Sequence, residues 1–210
     1  MVNLKLALSA AVLLLTIVPT VLAQTSTSSS TPKKETLKER FETRKATLQE
    51  RLDQRKENIA SRTAALKSRL AKFKDQKRAQ RVEKFNENLN KINENRTNAF
   101  LRFINTMSDI LAKVETRVGN ASGDTTAAQA AIADAKAKIA EAKIAVENQS
   151  AKDYNVNVTT EGKVKTNAKA AFDSLRQDLQ ATKTTLTETK QAVAKAIQTA
   201  ASTLGENNGQ

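Results

Sequence analysis

The chain has no cysteine and no histidine. The first absence removes disulfides, thiolate metal sites and thiol nucleophiles; the second removes the commonest general base and metal ligand. There is no tryptophan, one tyrosine, two prolines and only five glycines. Phosphate-cradling loops need glycines at fixed spacing, and none occurs here. Most of the usual catalytic parts are therefore missing, and the residues predict a non-enzymatic protein with no cofactor and no metal. Acids are also in deficit: 35 Lys and Arg stand against 22 Asp and Glu, a net charge of +13.

The one long apolar run lies at the start. Lys5 precedes the run Leu6 to Val18, Pro19 breaks it, and Val21-Leu22-Ala23 offers a small-residue cleavage site before Gln24. This is the layout of a secretory signal peptide, 1–23, and the run is too short to span a bilayer. With no cysteine after the site and no second apolar segment, the expected mature protein is secreted, periplasmic or on a bacterial envelope, and not transmembrane.

Residues 24–32 are rich in Ser and Thr and read as a flexible tether. Thr31-Pro32 then supplies a cap and a first-turn proline. From Lys33 to Val118 there is neither Gly nor Pro, and apolar residues recur every three or four positions. One uninterrupted helix is predicted, on the order of 130 Å long at 1.5 Å per residue. Gly119 suits the left-handed position after its end, Asn120 to Gly123 a turn, and Asp124 the next cap.

A second helix is expected from about Thr125 to Gln149, where Ile132, Ile139 and Val146 repeat every seven residues beside Ala128, Ala135 and Ala142. Residues 148–165 read as a loop with Val156 and Val158 extended. A third helix is expected from Thr166 to Leu204, with a seam through Ala168, Phe172, Leu175, Leu179, Thr182, Leu186, Val193, Ile197, Ala200 and Leu204 broken by a polar step after Leu186. The fold class predicted is all-α: the second half of the long helix joins two further helices in an antiparallel three-helix bundle, 82–204. The first half, 33–81, projects as a basic amphipathic arm, and 205–210 forms a disordered tail.

The basic excess sits on that arm, which has 17 Lys and Arg against 7 Asp and Glu between Lys33 and Arg81. On a helical wheel, Phe41, Leu48, Leu52, Ile59, Leu66, Leu70 and Phe73 form one stripe, all within about 40° of Phe41. Arg40, Arg44, Arg51, Arg55, Arg62 and Arg69 border it on one side. Lys38, Lys45, Lys56, Lys67 and Lys74 border it on the other, and the acids occupy the back.

Three roles fit this pattern: a solvated helix, a coiled coil with a second copy, or a helix docked on an anionic envelope surface or acidic protein partner. Like charges on the flanks disfavour the second. No helix of the chain offers an acidic flank, so an internal partner is not expected. No aromatic platform accompanies the basic residues, so specific nucleic-acid binding is not expected either. Lys169, Arg176, Lys183 and Lys190 make a further basic edge on the last helix.

The stretches AAQAAIADAKAKIAEAKIAVENQ (127–149) and FDSLRQDLQATKTTLTETKQAVAKAIQ (172–198) resemble uncharacterised, signal-peptide-bearing helical proteins of small-genome candidate-phylum bacteria. The resemblance implies a secreted or envelope helical protein and brings no activity or site residues. The basic, cysteine-free, helical character is also similar to small periplasmic chaperones of the Spy type. Their LTxxQ motif is missing, since Lys190 follows Leu186-Thr187-Glu188-Thr189 and Gln191 comes one place late.

The function expected is a secreted or envelope-associated structural or interaction protein. A periplasmic holdase chaperone and a coiled-coil self-assembly module are the alternatives. Export should leave Gln24 as the first residue of the mature chain; amino-terminal sequencing of secreted material checks this, and an intact Met1 would refute it.

Overall fold

A computed structural model describes residues 37–207; the expected signal peptide, tether and Thr31-Pro32 helix start lie outside the described residues. Four helices follow one another: α1 (Leu37–Leu70), α2 (Gln76–Gly119), α3 (Thr126–Ser150) and α4 (Val164–Asn207). A 3-10 turn, Glu161–Lys163, leads into α4. Among the described residues there is no strand, and no helix is long and apolar enough to cross a membrane.

The uninterrupted long helix is not formed. It breaks between Ala71 and Asp75, and two separate helices result. Neither Gly nor Pro marks the break. Asp75 takes an extended conformation and its carboxylate accepts the backbone N–H of Arg78 at 2.9 Å, an N-cap that satisfies one orphan donor of α2. The Glu161 carboxylate, from the far end of the next loop, accepts the backbone N–H groups of both Lys74 and Asp75. Gln76 donates its side-chain amide to the Phe73 carbonyl at 2.6 Å. Phe73 itself is buried. A local preference for helix, worth only tenths of a kcal/mol per residue, yields here to tertiary contacts.

Helices α2, α3 and α4 pack on one another around Ile104, Met107, Leu111, Ile132, Val146, Leu186 and Val193. The alanines Ala128, Ala135 and Ala142 of α3 are wholly buried, so α3 approaches its neighbours closely. The polar step after Leu186 belongs to this core. Thr189 is fully buried, and its hydroxyl lies within hydrogen-bonding distance of the Thr185 carbonyl (2.8 Å) and the Lys138 carbonyl of α3 (3.2 Å).

The buried seam of α4 follows Leu175, Thr182, Leu186, Thr189, Val193, Ala196 and Ala200, leaving Phe172 and Ile197, placed in the seam by the sequence, exposed. Two smaller corrections concern glycines. Gly119 is the last residue of α2, and the left-handed conformation falls instead on Gly123. At the other end, α4 continues through Gly205 to Asn207 rather than giving way to a tail at 205.

A second core lies beyond the end of α3. It combines Leu66, Leu70 and Phe73, at and just beyond the end of α1, with Val82 and Leu89 of α2 and Leu175 of α4, plus Tyr154, Val156 and Val158 from the segment between α3 and α4. Leu111→Ala should cost about 2–5 kcal/mol, because the site is filled from three sides. The exposed Phe103→Ala should cost less than about 1 kcal/mol. Chemical denaturation of the two variants checks the contrast; equal costs would contradict the packing described.

Candidate interaction surfaces

Five arginines of the α1 border, from Arg44 to Arg69, reach other parts of the chain. Arg44 reaches Glu147 near the end of α3, with Nε at 3.0 Å and Nη2 at 2.5 Å from the same carboxylate oxygen. Arg51 donates to the Asn148 side-chain oxygen at 2.8 Å, and Arg55 to the Lys152 carbonyl at 2.7 Å. Arg62 pairs with Asp153 at 2.9 Å. Arg69 reaches the Asn157 side-chain oxygen and the Val158 carbonyl, both at 3.2 Å.

These contacts overturn the expectation that α1 lacks an internal partner and projects. The partner is the carboxyl end of α3 and the extended segment after it, rather than an acidic helix flank. Such an end carries partial negative charge, and the planar guanidinium fork suits neutral carbonyls as well as carboxylates.

The lysine border is disposed differently. Lys56 pairs with Asp53 on its own helix and Lys67 with Glu83 of α2. Lys45 and Lys74 are exposed. The side chains of Lys38, Arg40 and Phe41 lie outside the described residues. The apolar stripe between the borders is covered unevenly: Leu48, Leu52 and Ile59 are half-buried, whereas Leu66 and Leu70 are buried. Helix α1 is thus anchored by apolar packing at its carboxyl end and by arginine hydrogen bonds along the rest.

Sequence reasoning missed a second constellation, a ladder of buried amides on α2. Asn86, Asn90, Asn93 and Thr97 lie at helical spacing on its buried face. They meet the segment 152–158, where Tyr154, Val156 and Val158 alternate inward with outward polar residues, the period of an extended chain. Asn90 accepts the Tyr154 N–H at 3.0 Å and donates to the Tyr154 carbonyl at 2.7 Å. Asn86 accepts the Val156 N–H at 2.9 Å. Asn93 donates to the carbonyls of Gln149 and Lys152, both at 3.1 Å, and accepts from the Gln149 amide at 2.9 Å. Amide side chains thus replace the neighbouring strand that this backbone lacks. The signal was available in the sequence, as asparagines recurring on the core-facing side of an otherwise apolar seam.

Tyr154 closes the network. Its hydroxyl accepts from Gln149 and donates to Asp178 of α4, each at 2.7 Å. Lys152 pairs with the same Asp178 carboxylate at 2.9 Å. Burial, and then the hydrogen bond to Asp178, push the phenol well above its ordinary range. Burial alone would raise the Asp178 carboxyl, but the hydrogen bonds from Tyr154 and Lys152 prevail and hold it below its ordinary value.

Cationic and apolar groups coexist on the faces of α2 and α4 away from α1. Ile92, Phe103 and Ile110 of α2, and Phe172 and Ile197 of α4, are each about 40 % exposed. Arg81, Arg96 and Arg117 on α2, and Arg176, Lys183 and Lys190 on α4, are exposed, and none forms an ion pair with a described carboxylate. Among the described residues no cluster of acidic side chains is placed to hold a metal ion. No protein-family model, no curated protein and no solved structure matches the chain.

Two measurements follow from the buried network. Tyr154 is the one tyrosine of the chain, so phenolate absorbance reports it alone. Its folded pKa is raised, so its contribution to stability is complete below the unfolded value of about 10 and is lost as pH rises through the folded value. The native protein should stay un-ionised at pH values where the denatured chain has already titrated near pH 10; a native titration at the denatured midpoint would refute the buried hydroxyl. Asn90→Ala would leave two backbone groups of Tyr154 unpaired, at about 1–3 kcal/mol each. Hydrogen exchange at the Tyr154 amide should accelerate in that variant, and unchanged protection there would count against the ladder.

Proposed function

We propose that this is a non-enzymatic secreted or envelope-associated helical protein that serves a structural or interaction role by engaging an anionic partner. The observation that carries the reading is the distribution of positive charge. The chain holds an excess of 13 cations, and five arginines of α1 already hold partners elsewhere in the chain. What stays available includes Lys45 and Lys74 beside α1 and the exposed cations of α2 and α4. A surface of that composition attracts an acidic polymer, an anionic envelope or an acidic protein, with a strength that falls as salt rises. The signal-like amino terminus supports an extracytoplasmic setting, where such partners are abundant.

Arginine segregation also shifts the expected site within this reading. Contact falls to the exposed lysines and to α2 and α4, and the arginine border acts as internal fastening. The test is fractionation of expressing cells. The protein should be found with the envelope fraction at low ionic strength and be released stepwise as salt increases. Recovery from the cytoplasm, or an envelope association indifferent to salt, would refute the proposal.

A further inference from the structure

The exposed apolar and cationic groups of α2 and α4 are not scattered. On α2, Ile92, Phe103 and Ile110 fall within about 20° of one another, and Phe85 and Ala99 share the same line; the buried residues centre about 90° away. On α4, Phe172 and Ile197 fall about 20° apart and about 60° from the buried seam.

Contacts elsewhere fix which way these lines face. The opposite flank of α2 meets α1 through Glu83 and Lys67, α3 through Glu115 and Lys136, and the extended segment through Asn90. The opposite flank of α4 meets α3 through Thr189 and the extended segment through Asp178. Both apolar lines therefore border the outer groove between α2 and α4. At its start that groove opens as a cleft of about 530 Å³ lined by Arg81, Phe85, Lys165 and Ala168 among others.

The occupant follows from charge and length. Cations flank both apolar lines, Arg81, Arg96 and Arg117 on α2 and Arg176, Lys183 and Lys190 on α4. An α-helix laid between two helices meets both apolar lines at once. Phe85 to Ile110 and Phe172 to Ile197 span equal lengths of two helices that run side by side, about 37 Å or seven turns. Charge then selects the helix. Cations border the groove along both helices, and among the described residues Asp109 is the one acid on that side of α2. Glu161, which also lines the cleft, is taken up by the backbone amides of Lys74 and Asp75.

We infer that the α2/α4 groove binds an acidic amphipathic helix of another protein, with the helix's apolar stripe on Ile92, Phe103, Ile110, Phe172 and Ile197 and its carboxylates on Arg176, Lys183 and Lys190. The inference rests on the anionic-partner reading above and names the class of partner. The mode is that of a helix laid into a preformed groove. Among the described helices none carries acids along both borders of an apolar stripe, so the occupant is assigned to another protein.

The test uses two labelled, lactam-stapled helical peptides of 25 residues, identical in a leucine stripe and differing only in Glu or Lys on both flanks. Fluorescence anisotropy with the purified protein should show binding of the Glu peptide, and at least about tenfold weaker binding of the Lys peptide. Lys183→Glu with Lys190→Glu should weaken the Glu peptide about tenfold, and Phe103→Ser with Ile110→Ser by a similar factor.

The first pair alters exposed, unpaired side chains and leaves the fold intact, so the test does not hinge on the apolar variants. Equal binding of both peptides, or indifference to the Lys183/Lys190 reversal, overturns the inference. Binding to phosphatidylglycerol vesicles that depends on Phe103 and Ile110, with no peptide binding, overturns it in favour of lipid. In either failure, salt-sensitive envelope association would still stand, and its loss with peptide binding retained would sink the broader reading instead.

Discussion

A buried extended chain must find partners for its backbone N–H and C=O groups, and in an all-helical protein no strand is at hand. That constraint organises the half of the molecule beyond α3. Helix α3 is 25 residues long against 44 for α2 and for α4, so it stops well short of its neighbours. The segment 152–158 takes over its place between them, burying Tyr154, Val156 and Val158. Each unpaired backbone group there would cost about 1–3 kcal/mol. The asparagines of α2 remove that cost, and their spacing along the helix matches the inward alternation of the chain they hold. Two apolar cores then sit at either end of one polar layer.

The same segment governs α1. Its outward carbonyls, the side chains of Asp153 and Asn157, and the acidic end of α3 give the arginine border its acceptors. Most of these arginines stay largely exposed, so each contact is individually modest. Their value lies in alignment, with five arginines in register along one helix. The terminal packing of Leu66, Leu70 and Phe73 supplies the apolar part of the attachment. Lysines could not replace the arginines evenly, since a single ammonium does not match a carboxylate and two carbonyls with one planar fork.

Much of this was legible in the residues. The all-helical class, the limits of α3 to within a residue or so and the loop after it follow from periodicity and turn chemistry. The extension expected of Val156 and Val158, by contrast, is interrupted by a tight turn in which the Val158 N–H donates to the Val156 carbonyl at 3.0 Å. The break at 71–75 was not legible, because its acceptor, Glu161, lies 86–87 residues away and leaves no local trace beyond Asp75. The apolar stripe of α1 and its two basic borders were evident, but the destination of the arginines was not. The clue was their separation from the lysines, since guanidinium groups suit the carbonyls and side-chain oxygens that α1 meets along that border. Most of the α4 seam was legible, Leu175, Thr182, Leu186, Val193 and Ala200 being buried as expected. Phe172 and Ile197 were included because they are large and apolar, and Thr189, whose hydroxyl is satisfied by carbonyls of α3 and of its own helix, was not.

The bend between α1 and α2 carries a further consequence. Its acceptor for two consecutive amides belongs to a distant part of the chain, so the reversal is a property of the assembled molecule rather than of residues 71–75. A fragment carrying only the first two helices would keep every local reason to run straight. Two consecutive amides at the turn thus depend on one carboxylate, Glu161, drawn from the segment that leads into α4.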